Sequence, residues 1–577
     1  MQNPEWLIID GIAPFFRGYG KKRVNWSKIP FAYVAKSGML DAESPAARQL
    51  REDFALFTRR AAAEGYNAVT LDDLVHLIDW EGYPADVRAA LAAYGRLYRD
   101  LFAIAEAAGL RVLITSDVFT LHPALSAATG EKLASVTSWL VARLDALFEA
   151  LPAISGIIFR IGESDALGTK GDFLSRLLIR TPTQANRFLR ELVPVFEKHN
   201  RTLLFRTWTV GAYSIGDLIW HRRTFARVFR GIRSNNLIVS MKYGESDFFR
   251  YLPVNGHFFR ADGLRTLVEF QTRREYEGFG EYPSFVGWEY ERVLKQLDGV
   301  PGLAGASVWS QTGGWGKFRR LTWVDNSSIW VELNTAVTAD LCRGETCETA
   351  IRRFCAARLP DVEPESMIAL LTLADDVIRE LLYVREFASR KLFFRRLRVP
   401  PLIFPFWDRL MMSPAVRRVF RNMVENHVLC LHEAQMALRK LDTMRRLARA
   451  AGIPDQGLDF QYDTFAILAL LRTYIFADPS DEPALIEELL AQREAYRQKW
   501  KPRYAVKFTF APPRRHLVRF AWIRRLLLRE QRGYRLLDSI ITLRLLALIY
   551  PLLGRWRQRL VPKFARKQAM GIDSLFK

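Results

Sequence analysis

Acidic side chains recur directly after short apolar runs in the first part of this 577-residue chain. These acids are Asp72, Asp73, Asp117, Glu163, Asp165, Glu245, Asp247 and Glu275. Aromatic residues stand near them in the sequence, namely Trp208, Tyr243, Tyr276, Trp309 and Trp315. Aromatic faces pack on the CH surfaces of sugars, and glycosidic cleavage needs one carboxylic acid and one carboxylate. The residue types therefore favour chemistry on a carbohydrate.

A purely structural role is open for the same residues. Acids at strand ends often cap the following helix or pair with a neighbouring arginine. Glu163 and Asp165 lie close to Arg160, so either acid is a candidate for such a pair. A Trp or Tyr at such a position more often packs at a rim than binds a sugar.

The apolar runs alternate with amphipathic stretches over residues 1–335. Predicted strands lie at 31–35, 67–71, 111–117, 156–162, 202–210, 237–243, 267–273 and 305–310. Predicted helices lie between them at 43–64, 86–108, 133–150, 183–199, 221–230 and 288–297. Continuous apolar strands alternating with helices indicate a parallel sheet buried on both faces, and eight units favour a closed (β/α)8 TIM barrel. In that fold the chemistry sits at the carboxyl ends of the strands.

An open doubly wound sheet is the alternative fold. It is less favoured because residues 16–22, FRGYGKK, are a poor match to the glycine-rich phosphate loop of such sheets. Beyond the barrel, 336–358, 364–390, 413–450, 459–477 and 482–498 have helical patterns. We therefore predict a barrel at 1–335, a helical domain at 336–498 and a basic amphipathic helical tail at 499–577.

The positive charge of the chain is concentrated in that tail. The whole sequence carries a formal charge of +22, of which residues 499–577 contribute 20 Lys/Arg against three acids. The apolar residues Phe520, Ile523, Leu527 and Leu528 form one helical stripe among these arginines. A basic amphipathic segment of this kind is typical of one lying on an anionic membrane surface.

Two other roles for the tail are open. Its apolar stripe is also suited to packing on the helical domain, which is the commoner fate of an amphipathic helix. Nucleic-acid binding is least favoured, because the tail is too apolar for a phosphate-tracking arm and no recognition fold is visible.

The composition excludes several classes of protein. Hydrophobic residues make up 49% and charged residues 25%, as in a globular protein, and no run of 18 apolar residues predicts a membrane span. The start of the chain has no basic region and carries Glu5 and Asp10, so we expect no signal peptide and a cytoplasmic location. The four cysteines show no CxxC spacing and are predicted to be reduced packing residues. No metal or other cofactor is predicted.

Several segments together resemble the family 67 glycoside hydrolases, the α-glucuronidases, over roughly 65–345. GLRVLITSDVF at 109–119 looks like the family's third-strand segment, and GIIFRIGESD at 156–165 looks like the segment that carries its acid. VSMKYGESDFF at 239–249 and VEFQTRREYEG at 268–278 are similar to the two stretches that carry its other carboxylates. ELNTAVTADLCRG at 332–344 resembles the helix after the eighth strand.

The resemblance implies a role for each matched residue. Glu163 corresponds to the general acid, and Asp247 and Glu275 correspond to the carboxylates that activate water in an inverting hydrolysis. Lys242, Arg160 and Arg206 are candidates to bind a substrate carboxylate, with pairing to nearby acids as the alternative. The other candidate substrate-binding residues are Asp117, Trp208, Tyr243, Tyr276 and Trp309.

These observations favour a glycosidase that cleaves an oligo- or polysaccharide, acidic and uronic-acid-containing, at the cytoplasmic face of the membrane. One alternative is a non-catalytic glycan-binding or scaffold protein of polysaccharide biosynthesis that keeps the barrel. The other is a nucleic-acid-binding protein that uses the basic tail.

Overall fold

The computed structural model describes residues 3–19, 29–162, 172–209, 213–311, 320–325, 327–392, 405–406, 409–500, 503, 505–510 and 528–530. Eight parallel strands in this part of the chain close into a barrel. They are β1 Trp6–Asp10, β2 Ala68–Asp72, β3 Arg111–Asp117, β4 Ile154–Arg160, β5 Thr202–Arg206, β6 Leu237–Lys242, β7 Arg265–Gln271 and β8 Leu303–Trp309. Each strand pairs with its neighbours in sequence, and β1 pairs with β8 to complete the ring. The predicted (β/α)8 barrel is confirmed.

The first strand lies elsewhere than predicted. Residues 31–35 belong to a short helix, Phe31–Lys36, and β1 is the run Trp6–Asp10, whose five residues are all buried. Aromatic and branched residues in FAYVA suggest a strand, but Pro30 precedes them in an extended conformation and the segment forms a helical turn. The run WLIID has the continuous apolar character of a strand covered on both faces. Asp10 is therefore the last residue of a barrel strand.

Helices surround the barrel in the expected alternation. Those of the ring are Pro45–Ala63, Ala85–Ala107, Leu133–Ala150, Pro182–Lys198, Arg222–Val228, Gly287–Leu297 and Ile329–Cys342, with a further short helix at Pro123–Thr129. The sequence determines where the helix Pro182–Lys198 begins. Thr181 and Gln184 form a reciprocal capping box at its first turn, ahead of an apolar stripe. The loop after β6 holds only a 3-10 turn, Phe258–Arg260.

A second group of helices packs beside the barrel. They are Cys347–Arg358, Pro364–Val377 with a π-helical turn at Ile378–Leu382, Arg385–Ala388, Pro414–Met423, His427–Ala450, Leu458–Phe476 and Glu482–Trp500. The predicted helical C-terminal region is therefore present. The predicted boundary at residue 335 falls inside Ile329–Cys342, which packs beside Gly287–Leu297 in the barrel's own ring.

Parts of the predicted basic tail are strands. Ala505–Phe508 pairs in parallel with Arg409–Met412, which also pairs with Pro405–Phe406. Leu528–Glu530 pairs antiparallel with Arg390–Leu392. The predicted helical stripe through Leu528 is thus wrong at its end, where backbone pairing with a distant segment overrides the local periodicity. The other stripe residues lie outside the described residues.

None of the described helices combines the length and the apolar character needed to span a bilayer.

Candidate active site at the barrel mouth

Asp247 is held at the carboxyl end of the barrel by donors on both carboxylate oxygens. Lys242, the last residue of β6, and the backbone N–H of Phe248 donate to Oδ1, the latter at 2.9 Å. The hydroxyl of Tyr276 donates to Oδ2 at 2.7 Å. The carboxylate is 12% exposed, so it is oriented by three donors and still reaches solvent. An oriented, partly accessible carboxylate is suited to accept a proton from a bound water molecule.

Lys242 joins this carboxylate to an aromatic surface. Its ammonium lies 3.6 Å from the centre of the half-buried Trp208 ring and 4.4 Å from that of Phe248. A cation over an aromatic face is stabilised by the ring's quadrupole. The arrangement fixes the lysine between the ring of Trp208 and the carboxylate of Asp247.

Glu275 follows the neighbouring strand β7 and is placed by Gln271, the last residue of that strand. The Gln271 side-chain amide donates to Glu275 Oε1 at 3.1 Å and accepts from the Glu275 backbone N–H at 2.9 Å. Tyr276, the next residue, reaches Asp247, and its ring packs 4.7 Å from that of Phe249. The loops after β6 and β7 therefore bring Asp247 and Glu275 to one side of the mouth.

A buried ion pair lies deeper in the barrel, between Arg206 of β5 and Glu269 of β7. The guanidinium donates to both carboxylate oxygens, at 2.9 and 2.5 Å. Ser240 and the indole N–H of Trp309 also donate to Glu269, at 2.7 and 3.2 Å. Burial alone would raise the pKa of Glu269, but the charge and hydrogen bonds of Arg206, the Ser240 hydroxyl and the charge of Lys242 together outweigh burial and lower the pKa below its ordinary value. Arg206 was predicted to bind substrate, and in the structure its guanidinium is neutralised by an internal acid.

Arg160 and Asp117 form a second internal pair on neighbouring strands. Arg160 at the end of β4 lies 2.8 Å from Asp117 at the end of β3, and both side chains are buried. The hydroxyl of Ser175 donates to the other oxygen of Asp117 at 2.9 Å. An acid partner for Arg160 is therefore present, and it is Asp117. These two predicted substrate-binding residues contact each other.

The remaining predicted residues divide into three groups. Trp208, Tyr276 and Trp309 lie with the residues above. Tyr243 does not: its fully buried ring packs among Phe270 and Tyr290, and its hydroxyl donates to the carbonyl of Phe249. Glu163, Asp165 and Trp315 lie outside the described residues.

Two acids of the mouth were missed by the sequence analysis. Glu269 stands inside a strand between Val268 and Phe270, and a charge in such a position signals a side chain that faces the barrel interior. Asp10 was missed because the first strand was misplaced. Its carboxylate accepts from the backbone N–H groups of Ser310 and Gln311 and from the Ser310 hydroxyl, which ties β1 to the loop after β8.

Burial raises the pKa of Asp10 from 3.8 to about 6, although these donors oppose the rise. A folded-state pKa above the unfolded value means that stability is lost as the pH rises through it. We expect Asp10→Asn, which does not titrate, to gain about 2 kcal/mol in unfolding free energy relative to wild type between pH 4 and pH 7.5. Urea unfolding of both proteins at each pH measures the change, and a pH-independent difference would contradict it.

Metal-binding geometry is limited, in the described part of the chain, to one group on the outside of the barrel. It consists of Asp145, Glu149 and His199, and Lys198 also binds Asp145 there. The mouth of the barrel is instead organised by ion pairs between strands.

The fold and the mouth define a (β/α)8 barrel protein whose carboxylates and cations lie at the carboxyl ends of neighbouring strands. The chain is 27% identical over 199 residues to a probable alpha-glucuronidase A of Aspergillus flavus, and 31% identical over 150 residues to one of Aspergillus terreus. The first match covers 31% of this chain and 22% of the relative, and the second 25% and 17%. The chain therefore matches about a fifth of the length of these relatives.

Among solved structures, the chain is similar to a GH138 enzyme targeting pectin rhamnogalacturonan II, with a TM-score of 0.53 and 11% identity. The likeness covers 87% of this chain and 63% of the other, and at that identity it shows the fold. No model of a known protein family matches the chain. The comparisons confirm a distant resemblance to α-glucuronidases and to the barrels of glycoside hydrolases.

Proposed function

We propose that this protein is a glycoside hydrolase that cleaves a uronic-acid-containing glycan at the mouth of its barrel, with inversion at the anomeric carbon. The observation that carries the proposal is the carboxylate of Asp247. Lys242 and Tyr276 hold both of its oxygens, the Trp208 ring packs on the Lys242 ammonium, and the carboxylate reaches solvent. Similarity to a probable alpha-glucuronidase over 31% of the chain supports the same conclusion.

The proposed reaction divides the chemistry between two sides of the sugar. Glu163 protonates the glycosidic oxygen, which leaves with the aglycone. Asp247 or Glu275 accepts a proton from a water molecule whose oxygen attacks the anomeric carbon from the opposite face. Inverting enzymes of this kind separate their two carboxyl groups by ~6.5–9.5 Å, which leaves room for the water.

The internal ion pairs explain how the mouth holds several charges at once. Arg160, Arg206 and Lys242 lie on three neighbouring strands, and each has an acid partner within the barrel. These pairs fix the directions of the cations before substrate enters. Lys242 is the cation of this row whose acid partner, Asp247, is partly exposed, so its oriented ammonium is the support for an acidic sugar in the substrate.

Activity on a panel of glycosides tests the proposal. The panel consists of 4-nitrophenyl glycosides and oligosaccharides that end in a uronic acid, with neutral analogues of equal length. We expect cleavage of uronic-acid substrates by the wild type and its loss in Glu163→Gln, with Glu345→Gln on the protein surface as the matched control. Binding without cleavage by the wild type would instead identify a non-catalytic glycan-binding protein.

We propose further that the basic tail, 499–577, attaches the protein to an anionic membrane surface. Residues 531–577 carry ten Lys/Arg against two acids, and each such cation contributes about 1 kcal/mol near an anionic leaflet before screening. Truncation after Glu530 keeps the described strand 528–530 and removes this charge.

We expect the truncation to abolish cosedimentation with vesicles that contain phosphatidylserine, while the full chain binds them and not neutral vesicles. Equal cosedimentation of both proteins would contradict membrane attachment through this segment. Retention of RNA by the full chain without vesicle binding would point to a nucleic-acid partner.

A further inference from the structure

The loops that carry Asp247 and Glu275 are joined by a buried ion pair. Arg250 follows Asp247 by three residues, and Glu277 follows Glu275 by two. Arg250 donates from Nε to Glu277 Oε1 at 3.1 Å and from Nη2 to Oε2 at 3.0 Å, and neither side chain is exposed. The guanidinium also donates to the carbonyl of Phe285 at 2.7 Å. The bidentate geometry fixes the direction of both side chains.

The same pair reaches the helical region. Arg250 Nη1 donates to Asp375 in the helix Pro364–Val377 at 2.9 Å, and Asp375 also accepts from Arg379 at 2.7 Å. The hydroxyl of Tyr383 donates to Glu277 Oε1 at 2.7 Å. Two loops of the barrel and the segment 375–383 of the helical region thus share a single hydrogen-bonded group.

We call Arg250, Arg274, Glu277, Glu289, Asp375, Arg379 and Tyr383 the anchor cluster. Its three arginines balance its three acids. Burial alone would raise the pKa of Glu277, but Arg250 and Arg274 overcome burial and hold that pKa far below its ordinary range. A buried cluster of charges adds little stability, because the cost of desolvating the charges offsets their attraction. Its better-attested role is to fix the relative positions of the segments that carry the charges.

We infer that the anchor cluster is a positioning device that holds Asp247 and Glu275 in register, so that the helical region takes part in the activity of the barrel. This inference rests on the proposed hydrolase function. The contacts of Asp247 come from Lys242, Phe248 and Tyr276, none of which belongs to the cluster. The cluster therefore acts through the loop backbones, and displacement of a reacting group by about 1 Å lowers a rate about 10²-fold.

Variants on the helical side of the cluster test the inference without touching either loop. Tyr383→Phe removes one donor to Glu277, and Asp375→Asn neutralises one partner of Arg250 while its shape is kept. The matched control is Glu482→Gln, which breaks the largely buried pair with Arg417, 2.6 Å apart, elsewhere in the helical region. We expect each cluster variant to lower kcat about 10–100-fold with KM little changed, and the control to keep the wild-type kcat at a temperature where all are folded.

Hydrogen exchange of residues 243–250 and 272–278 provides a readout that is independent of activity. We expect faster exchange there in the cluster variants and wild-type exchange in Glu482→Gln. If the wild type cleaves no glycoside, the proposed function fails, and the exchange rates still decide whether the cluster holds the loops. Wild-type exchange of both loops in the cluster variants would overturn the inference. So would a kcat in those variants no lower than that of Glu482→Gln.

Discussion

Replacement of Asp247 by Asn is expected to lower kcat about 10²–10⁴-fold, the range that a general base contributes. Asparagine keeps the size of the side chain and an oxygen that accepts from Lys242 or Tyr276. It loses the negative charge and the ability to take a proton from water. Because Asp247 is partly exposed and its partners are not removed, the loss should appear in catalysis rather than in folding.

Initial rates on a cleaved glycoside measure this effect, with circular dichroism to confirm the fold. The matched control is Asp361→Asn, an exposed aspartate between the helices that end at Arg358 and begin at Pro364. A kcat within twofold of wild type in Asp247→Asn would remove the residue from the mechanism and leave Glu275 as the base-side carboxylate.

Replacement of Glu269 by Gln is expected to destabilise the barrel by about 3–5 kcal/mol, as does removal of one partner from a buried ion pair. The guanidinium of Arg206 would remain in the barrel without its counter-charge, beside Lys242 on the neighbouring strand. Ser240 and Trp309 would also lose a charged acceptor. Urea denaturation followed by tryptophan fluorescence measures the change.

The double variant Arg206→Met/Glu269→Leu separates charge imbalance from lost packing. Because it removes both charges, it should recover most of the stability that Glu269→Gln loses. A double variant no more stable than Glu269→Gln would show that attraction between the two charges itself stabilises the fold. The loss in Glu269→Gln would then not come merely from leaving Arg206 without a counter-charge.

The pH dependence of the same pair has a definite sign. Arg206 lowers the pKa of Glu269 below its ordinary value of 4.5 despite burial, so the folded state favours the ionised form. The stability that this group contributes is present above about pH 4.5 and declines as the pH falls below it. Glu269→Gln should therefore lose less stability than wild type on acidification.

Continuous apolar runs were sufficient to locate seven of the eight strands, because both faces of such a strand are buried and nearly all of its residues must be apolar. The first strand shows the limit. FAYVA and WLIID are both short runs that begin with an aromatic residue and hold branched apolar residues, and burial in the assembled barrel distinguishes the strand from the helical turn. Asp10 was lost from the candidate residues for that reason.

The partners of the charged residues were the least predictable feature. Arg206 pairs with a glutamate 63 positions along the chain, and Arg160 pairs with Asp117 on the neighbouring strand. Such pairs depend on the register of adjacent strands, which local periodicity does not reveal. The burial of Tyr243 away from the mouth could have been predicted. It follows the inward-facing Lys242, so its side chain must face the opposite side of the sheet.

The anomeric configuration of the first product is the most direct test of hydrolysis at this mouth. Proton NMR spectra recorded within the first turnovers, on the uronic-acid glycoside that the wild type cleaves fastest, distinguish the two anomers before mutarotation. We predict a released sugar of inverted configuration with the wild type, and at least about 10²-fold slower release with Asp247→Asn. Retained configuration, equal product from both proteins, or no cleavage of any glycoside by the wild type would contradict the account.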